Sequence, residues 1–133
     1  MANYLLYGTE MSYFSGKARS YLRWKDIDLE ERLADQNFYE NVCVPKIGRR
    51  VIPVTLLPDG TALQDTTQLF DYFEGAYESP SFSPINLQQR FLASVLELWA
   101  DDWLLIPAMY YRWEYEADTN ALDFGMDLFP DLP

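Results

Sequence analysis

Histidine is absent from the 133 residues. That removes the usual general base near neutral pH and the commonest metal ligand, so neither serine–histidine catalysis nor a zinc site is expected. Cysteine is nearly absent as well: Cys43 is the single one, and it excludes an internal disulfide. No uninterrupted apolar run approaches the roughly 18 residues that a membrane span needs. The opening Met1-Ala2-Asn3-Tyr4 lacks the basic-then-apolar pattern of a signal peptide. The expected setting is therefore cytoplasmic and reducing, away from membranes. Positive charge is scarce in one part of the chain only. Residues 51–133 hold two Lys or Arg against fourteen Asp or Glu, whereas residues 1–50 hold eight against seven, within a net charge of −11. Nucleic acid would meet repulsion and find no basic stripe to grip. A small anion could still bind in the first part.

What the chain does have is apolar and aromatic weight, 49% and 17% of its residues, enough for a buried core. Residues 3–7 form an apolar run that predicts a short buried strand, and from Phe14 the apolar positions Phe14, Ala18, Tyr21 or Leu22 and Trp24 recur at helical spacing, in a helix ended by Asp26. Between them lies Ser12-Tyr13-Phe14-Ser15. Small hydroxyl side chains on a turn from strand to helix sit where the first helical amides are unpaired and carry positive dipole character, a place that favours an anion. The alternative is that Ser12 or Ser15 is simply the helix N-cap. Residues 29–33 predict a second strand, which completes a right-handed βαβ unit. A short helix is expected from Asp35 to about Val44, with Phe38 and Val42 inward and Pro45 stopping it.

Lys46-Ile47-Gly48-Arg49-Arg50 then reads as a basic loop, residues 51–57 as a strand, and Pro58-Asp59-Gly60 as the turn of a hairpin. Pro53 interrupts that strand pattern, which fits either a strand start or a cis bond. A helix is predicted over residues 66–76 with Leu69, Phe70 and Phe73 as its core face and Asp65 or Thr66 as its cap. Two Ser-Pro pairs break any helix over residues 78–84. From Asn86 to about Glu116 the spacing predicts one long helix bent by Pro107. The acidic tail from Ala117 to Pro133 has no period.

This order of motifs resembles the glutathione S-transferase family. Ser12 to Arg19 is similar to that family's catalytic turn, and Leu63-Gln64-Asp65-Thr66 through Tyr72-Phe73-Glu74 is similar to its acidic-hydroxyl helix start. The resemblance implies an α/β fold: a thioredoxin-like βαβ-α-ββα domain with a four-stranded mixed sheet over residues 1–77. A linker at 78–84 and the first long helix of an all-α domain, within a partial helical domain at 85–133, would follow. It implies glutathione as co-substrate, no metal, a small hydrophobic electrophile, and transfer of the glutathione thiolate to it. Ser12, with Ser15 as a substitute and Tyr7 or Tyr13 as remoter ones, would activate the thiol. Ile52 before a cis Pro53 would pair with the cysteinyl backbone, Asp65 and Thr66 would hold the γ-glutamyl group, and Lys46, Arg49 or Arg50 would face the glycyl carboxylate.

Departures from the pattern also shape the expectation. Ser12 stands where some classes have cysteine, so a mixed disulfide there is ruled out. Asp65 is one methylene shorter than the usual glutamate. A helix carrying Trp99, Trp103, Tyr110, Tyr111 and Trp113 with few partners should expose apolar surface, which suggests a homodimer. Two other functions stay open beside conjugation: a non-catalytic glutathione-binding or protein-interaction member of the fold, and a thioredoxin-like domain without a thiol ligand.

Overall fold

The computed structural model describes residues 4–114. They fall into two compact units, one ending at Phe82 and the other beginning at Ser83. The first unit is built on a sheet of four strands in the order β2-β1-β3-β4. Strand β1 (Tyr4–Gly8) pairs in parallel with β2 (Leu29–Leu33) and antiparallel with β3 (Val54–Leu56), which pairs antiparallel with β4 (Ala62–Leu63). Because β1 lies inside the sheet and both its faces are covered, its residues are apolar without interruption. Leu6 joins one core, with Ala18, Leu22, Leu69 and Phe73, and its neighbour Tyr7 joins the other, with Phe38, Cys43 and Val54. Helices α1 (Tyr13–Trp24) and α4 (Thr66–Ala76) supply the first core.

Several elements differ from the sequence expectation for local reasons. Helix α1 begins at Tyr13, one residue ahead of the periodic stretch, and of the two candidate caps it is Ser12 that serves: the Ser12 Oγ accepts the Ser15 N–H at 3.1 Å. The helix expected to stop at Pro45 continues through it. After α2 (Gln36–Phe38), capped by Asp35, the chain makes a π-helical turn (Tyr39–Cys43) and re-enters α-helix as α3 (Val44–Ile47). The wider turn resets the hydrogen-bond pattern, so that Pro45 falls in the first turn of α3, where no N–H is required. Gly48, at φ 87°, ends it in the left-handed region. The strand expected over residues 51–57 shrinks to Val54–Leu56, since Pro53 has no N–H to donate to a ladder.

Lys25, the C-cap of α1, has a fully buried side chain. Its ammonium donates to Glu74 Oε1 on α4 at 2.8 Å and to the Pro80 carbonyl at 2.7 Å. Glu74 also accepts from the Tyr21 hydroxyl at 2.7 Å, the Ser81 hydroxyl at 2.9 Å and the Phe82 N–H at 3.0 Å. One carboxylate thus ties α1, α4 and residues 80–82 together.

In the second unit, the single bent helix expected from Asn86 onward is two helices: α5 (Leu87–Asp102), capped by Asn86, and α6 (Leu105–Trp113). The break falls at residues 103–104 rather than at Pro107. A proline cannot accept continuation from the turn before it, but it is tolerated in the first turn of a new helix, and that is where Pro107 lies. None of the described residues of this unit is buried. Phe91, Trp103, Ile106 and Tyr111 are each more than half exposed. The acidic tail from Ala117 to Pro133 lies outside the described residues.

Candidate functional site

Strand register brings three separate stretches to one end of the sheet. Tyr7 stands opposite Val54, so residues 52–53, just ahead of β3, lie beside the carboxyl end of β1 and the turn that leads to Ser12. Thr55 stands opposite Leu63, so the chain leaving β4 returns to that same end, where Asp65 caps α4. Helices α1 and α4 therefore both start there, and the positive ends of both helix dipoles point toward that end.

Ser12 is partly exposed, and its oxygen is the acceptor of the cap. A hydroxyl that accepts in this way keeps its own hydrogen for donation to a ligand. Ser15 is placed otherwise. It is fully buried, and its Oγ accepts the Thr9 N–H at 3.4 Å. A Cβ at Gly8 would stand 2.5 Å from that oxygen, so glycine at position 8 is what lets α1 pack so closely on β1. Asp65 is exposed, and its Oδ1 accepts from the Thr67 N–H at 2.8 Å and the Gln68 N–H at 3.3 Å. Thr66 is buried in the first turn of α4. The Ile52–Pro53 peptide is cis.

The basic residues separate. Lys46 donates to the Gly60 carbonyl at 2.7 Å, in the β3–β4 turn at the opposite end of those strands. Arg50 lies over the Tyr39 ring at 4.4 Å and donates to Gln36 Oε1 at 2.6 Å. Arg49 reaches the site: its guanidinium donates to the Gln64 side chain, one residue ahead of Asp65, at 3.2 Å. Arg49 was one of three alternatives in sequence, and nothing in its spacing separated it from its neighbours. Tyr7 stacks on Phe38 with centroids 4.4 Å apart and is buried, so its ring belongs to the second core.

A cleft of about 190 Å³ opens on the other flank of the turn, along the parallel pair β1 and β2. It is lined by Gly8, Thr9, Glu10, Arg19, Glu31 and Arg32, with the Arg19–Glu31 ion pair in its wall, and includes none of Ser12, Ile52, Pro53, Asp65 and Thr66. Among the described residues no cluster of three or more His, Cys, Asp or Glu side chains is arranged to hold a metal ion, and no helix is long and apolar enough to cross a membrane.

Residues 6–81 match the family described as glutathione S-transferase, N-terminal domain. The chain belongs to the glutathione S-transferase family. Its fold is shared with solved structures of low sequence identity. A glutathione S-transferase from Rhodospirillum rubrum is 24% identical with a TM-score of 0.66, over 74% of this chain and 45% of that one. A glutathione transferase homologue from Sulfitobacter, solved with bound glutathione, is 15% identical with a TM-score of 0.69, over 85% of this chain and 55% of that one. A third, from Methylobacterium radiotolerans in complex with glutathione sulfonate, is 22% identical with a TM-score of 0.64, over 74% and 46%. The chain thus spans about half the length of these relatives. No curated protein sequence matches it.

Proposed function

We propose that this glutathione S-transferase family member binds glutathione at the end of the sheet where Ser12, Ile52, Pro53, Asp65 and Thr66 converge, and transfers its thiolate to a small electrophile. The observation that carries this reading is the strand register, which delivers two helix starts, one extended backbone segment and one free carboxylate oxygen to the same place. In this reading the backbone of Ile52 pairs with the cysteinyl unit. The Asp65 carboxylate faces the ligand's ammonium, and the start of α4, with Thr66, faces its α-carboxylate. Arg49, rather than Lys46 or Arg50, faces the glycyl carboxylate, because its guanidinium already lies next to the entrance of α4.

Ser12 donates its hydroxyl hydrogen to the sulfur. A free thiol has a pKa of about 8.5, and a hydroxyl donor at a helix start favours the thiolate. The thiol proton passes to solvent, the sulfur forms a bond to the electrophilic carbon, and the leaving group departs with the bonding pair. Ser15 takes no part, because its hydroxyl is spent inside the packing of α1 against β1.

The test is calorimetric titration of reduced glutathione into the parent, Ser12→Ala and Ser15→Ala proteins, with ultraviolet titration of the bound thiol. Binding by all three, with only Ser12→Ala losing the lowered thiol pKa, supports the reading. Absence of binding by the parent, or a thiol pKa unchanged in Ser12→Ala, sinks it.

A further inference from the structure

The π-helical turn and the loop at residues 49–51 are joined at three points. The fully buried Cys43 thiol, at the end of the turn, donates toward the carbonyls of Arg49 at 3.1 Å and Val51 at 3.6 Å. The Tyr39 ring, at the start of the turn, carries the Arg50 guanidinium on its face. Gln36, on the helix just before it, accepts from the same guanidinium. Each contact involves the backbone or side chain of one of the three residues ahead of Ile52. A sulfhydryl is a weak donor, but one that reaches two carbonyls of a single loop fixes their direction as well as their distance. The Arg50 guanidinium is engaged by Tyr39 and Gln36.

From this arrangement we infer that Tyr39 and Cys43 are positioning residues for glutathione recognition: they hold the loop so that Arg49 and the Ile52 backbone meet the cysteinyl-glycine half of the ligand. Arg50 serves the same end as a clasp and does not touch the ligand. The inference rests on the proposed glutathione site.

The experiment compares two ligands, glutathione and γ-glutamylcysteine, which lacks the glycine. Affinities for both are measured by calorimetry on the parent, Tyr39→Leu, Cys43→Ala, Cys43→Ser and Gln36→Ala. Tyr39 and Cys43 are core positions, so Gln36→Ala, at an exposed residue, provides a variant whose folding is not at issue. The expected result is that Tyr39→Leu and Cys43→Ala weaken both ligands, since both carry the cysteinyl unit that meets Ile52, and weaken glutathione about tenfold more than the dipeptide, the size of one lost charge-assisted contact. Gln36→Ala should move the ratio of the two affinities in the same direction by a smaller factor, and Cys43→Ser, which restores a donor, should retain the parent ratio. Equal weakening for both ligands would mean general loosening and would overturn the inference, as would a ratio unchanged in every variant. Failure of the parent to bind either ligand would instead overturn the glutathione site itself.

Discussion

Replacing Glu74 by glutamine removes one negative charge from a junction that holds three parts of the first unit. The Lys25 ammonium is completely buried and relies on Glu74 as its charged partner, while Glu74 keeps 18% of its side-chain surface. Glutamine conserves the shape but leaves the ammonium without compensation, and its amide hydrogens meet groups that are themselves donors: Lys25, Tyr21, Ser81 and the Phe82 N–H. Breaking a buried pair from one side costs about 3–5 kcal/mol, and the residual exposure of Glu74 puts this one at the lower end, about 3 kcal/mol. With a urea m-value of about 2 kcal/mol/M, the midpoint should fall by about 1.5 M.

Circular dichroism during urea unfolding reads that shift. The double variant Lys25→Met/Glu74→Gln removes the stranded ammonium and should recover most of the loss, with a coupling of about 2 kcal/mol. A midpoint shift below about 0.5 M, or single effects that simply add, would refute the reasoning.

The same junction fixes a pH dependence. Burial works to raise the pKa of Glu74, but hydrogen bonds from Lys25, Tyr21 and Ser81, with the charge of Lys25, outweigh it and bring the value from 4.5 down to about 2. The folded value lies below the unfolded one, so this stabilisation is complete above about pH 4.5 and is lost as the pH falls toward 2. The Glu74→Gln protein should lack that part of the slope.

Other substitutions separate packing from recognition. Gly8→Ala drives a methyl group against Ser15, at 2.5 Å from its Oγ and 2.9 Å from its Cβ, and should cost about 1–3 kcal/mol in thermal or denaturant unfolding; an unchanged stability would refute the close approach. Asp65→Asn keeps an equally good N-cap, so stability should hold within a few tenths of a kcal/mol, while the loss of charge should weaken glutathione binding about tenfold. Equal glutathione affinity in the two proteins would take Asp65 out of the site. Ser12→Ala should lose about 1 kcal/mol of stability from the missing cap in addition to its effect on the thiol.

Much of the fold was legible because its signals are local. Asp65 caps a helix that runs from Thr66 to Ala76 over the residues expected from the pattern, and Pro58-Asp59-Gly60 makes its turn with Gly60 at φ 83°. What escaped depends on contacts distant in sequence. Pro45 reads as a helix stop in any window around it, and only the π-helical turn, stabilised by packing of Phe38, Tyr39 and Cys43 on the sheet, allows the helix to pass. Likewise Ser12 and Ser15 look equivalent on the chain. Their difference arises from Gly8, on a neighbouring strand, which receives one hydroxyl and not the other. Lys46, Arg49 and Arg50 are three cations in five residues, and their separation into a hairpin contact, a site contact and a ring contact comes from Gly60, Gln64 and Tyr39. The second unit was misread at residues 103–104 because helical spacing continues across the break.

The outer strands of the sheet bear on how this protein avoids its own kind. An open edge offers unpaired N–H and C=O groups to any other strand, and a sheet of four strands has two such edges. Here β4 is only two residues long, too short to template a partner. The other edge, β2, carries Glu30, Glu31 and Arg32 in succession, with Arg32 donating to Glu30 at 2.7 Å along the strand. An incoming strand would have to strip water from those charges before its first ladder bond formed. That run of charges is thereby a guard against polymerisation, and neutralising it to Val or Thr would favour fibrils over the folded unit.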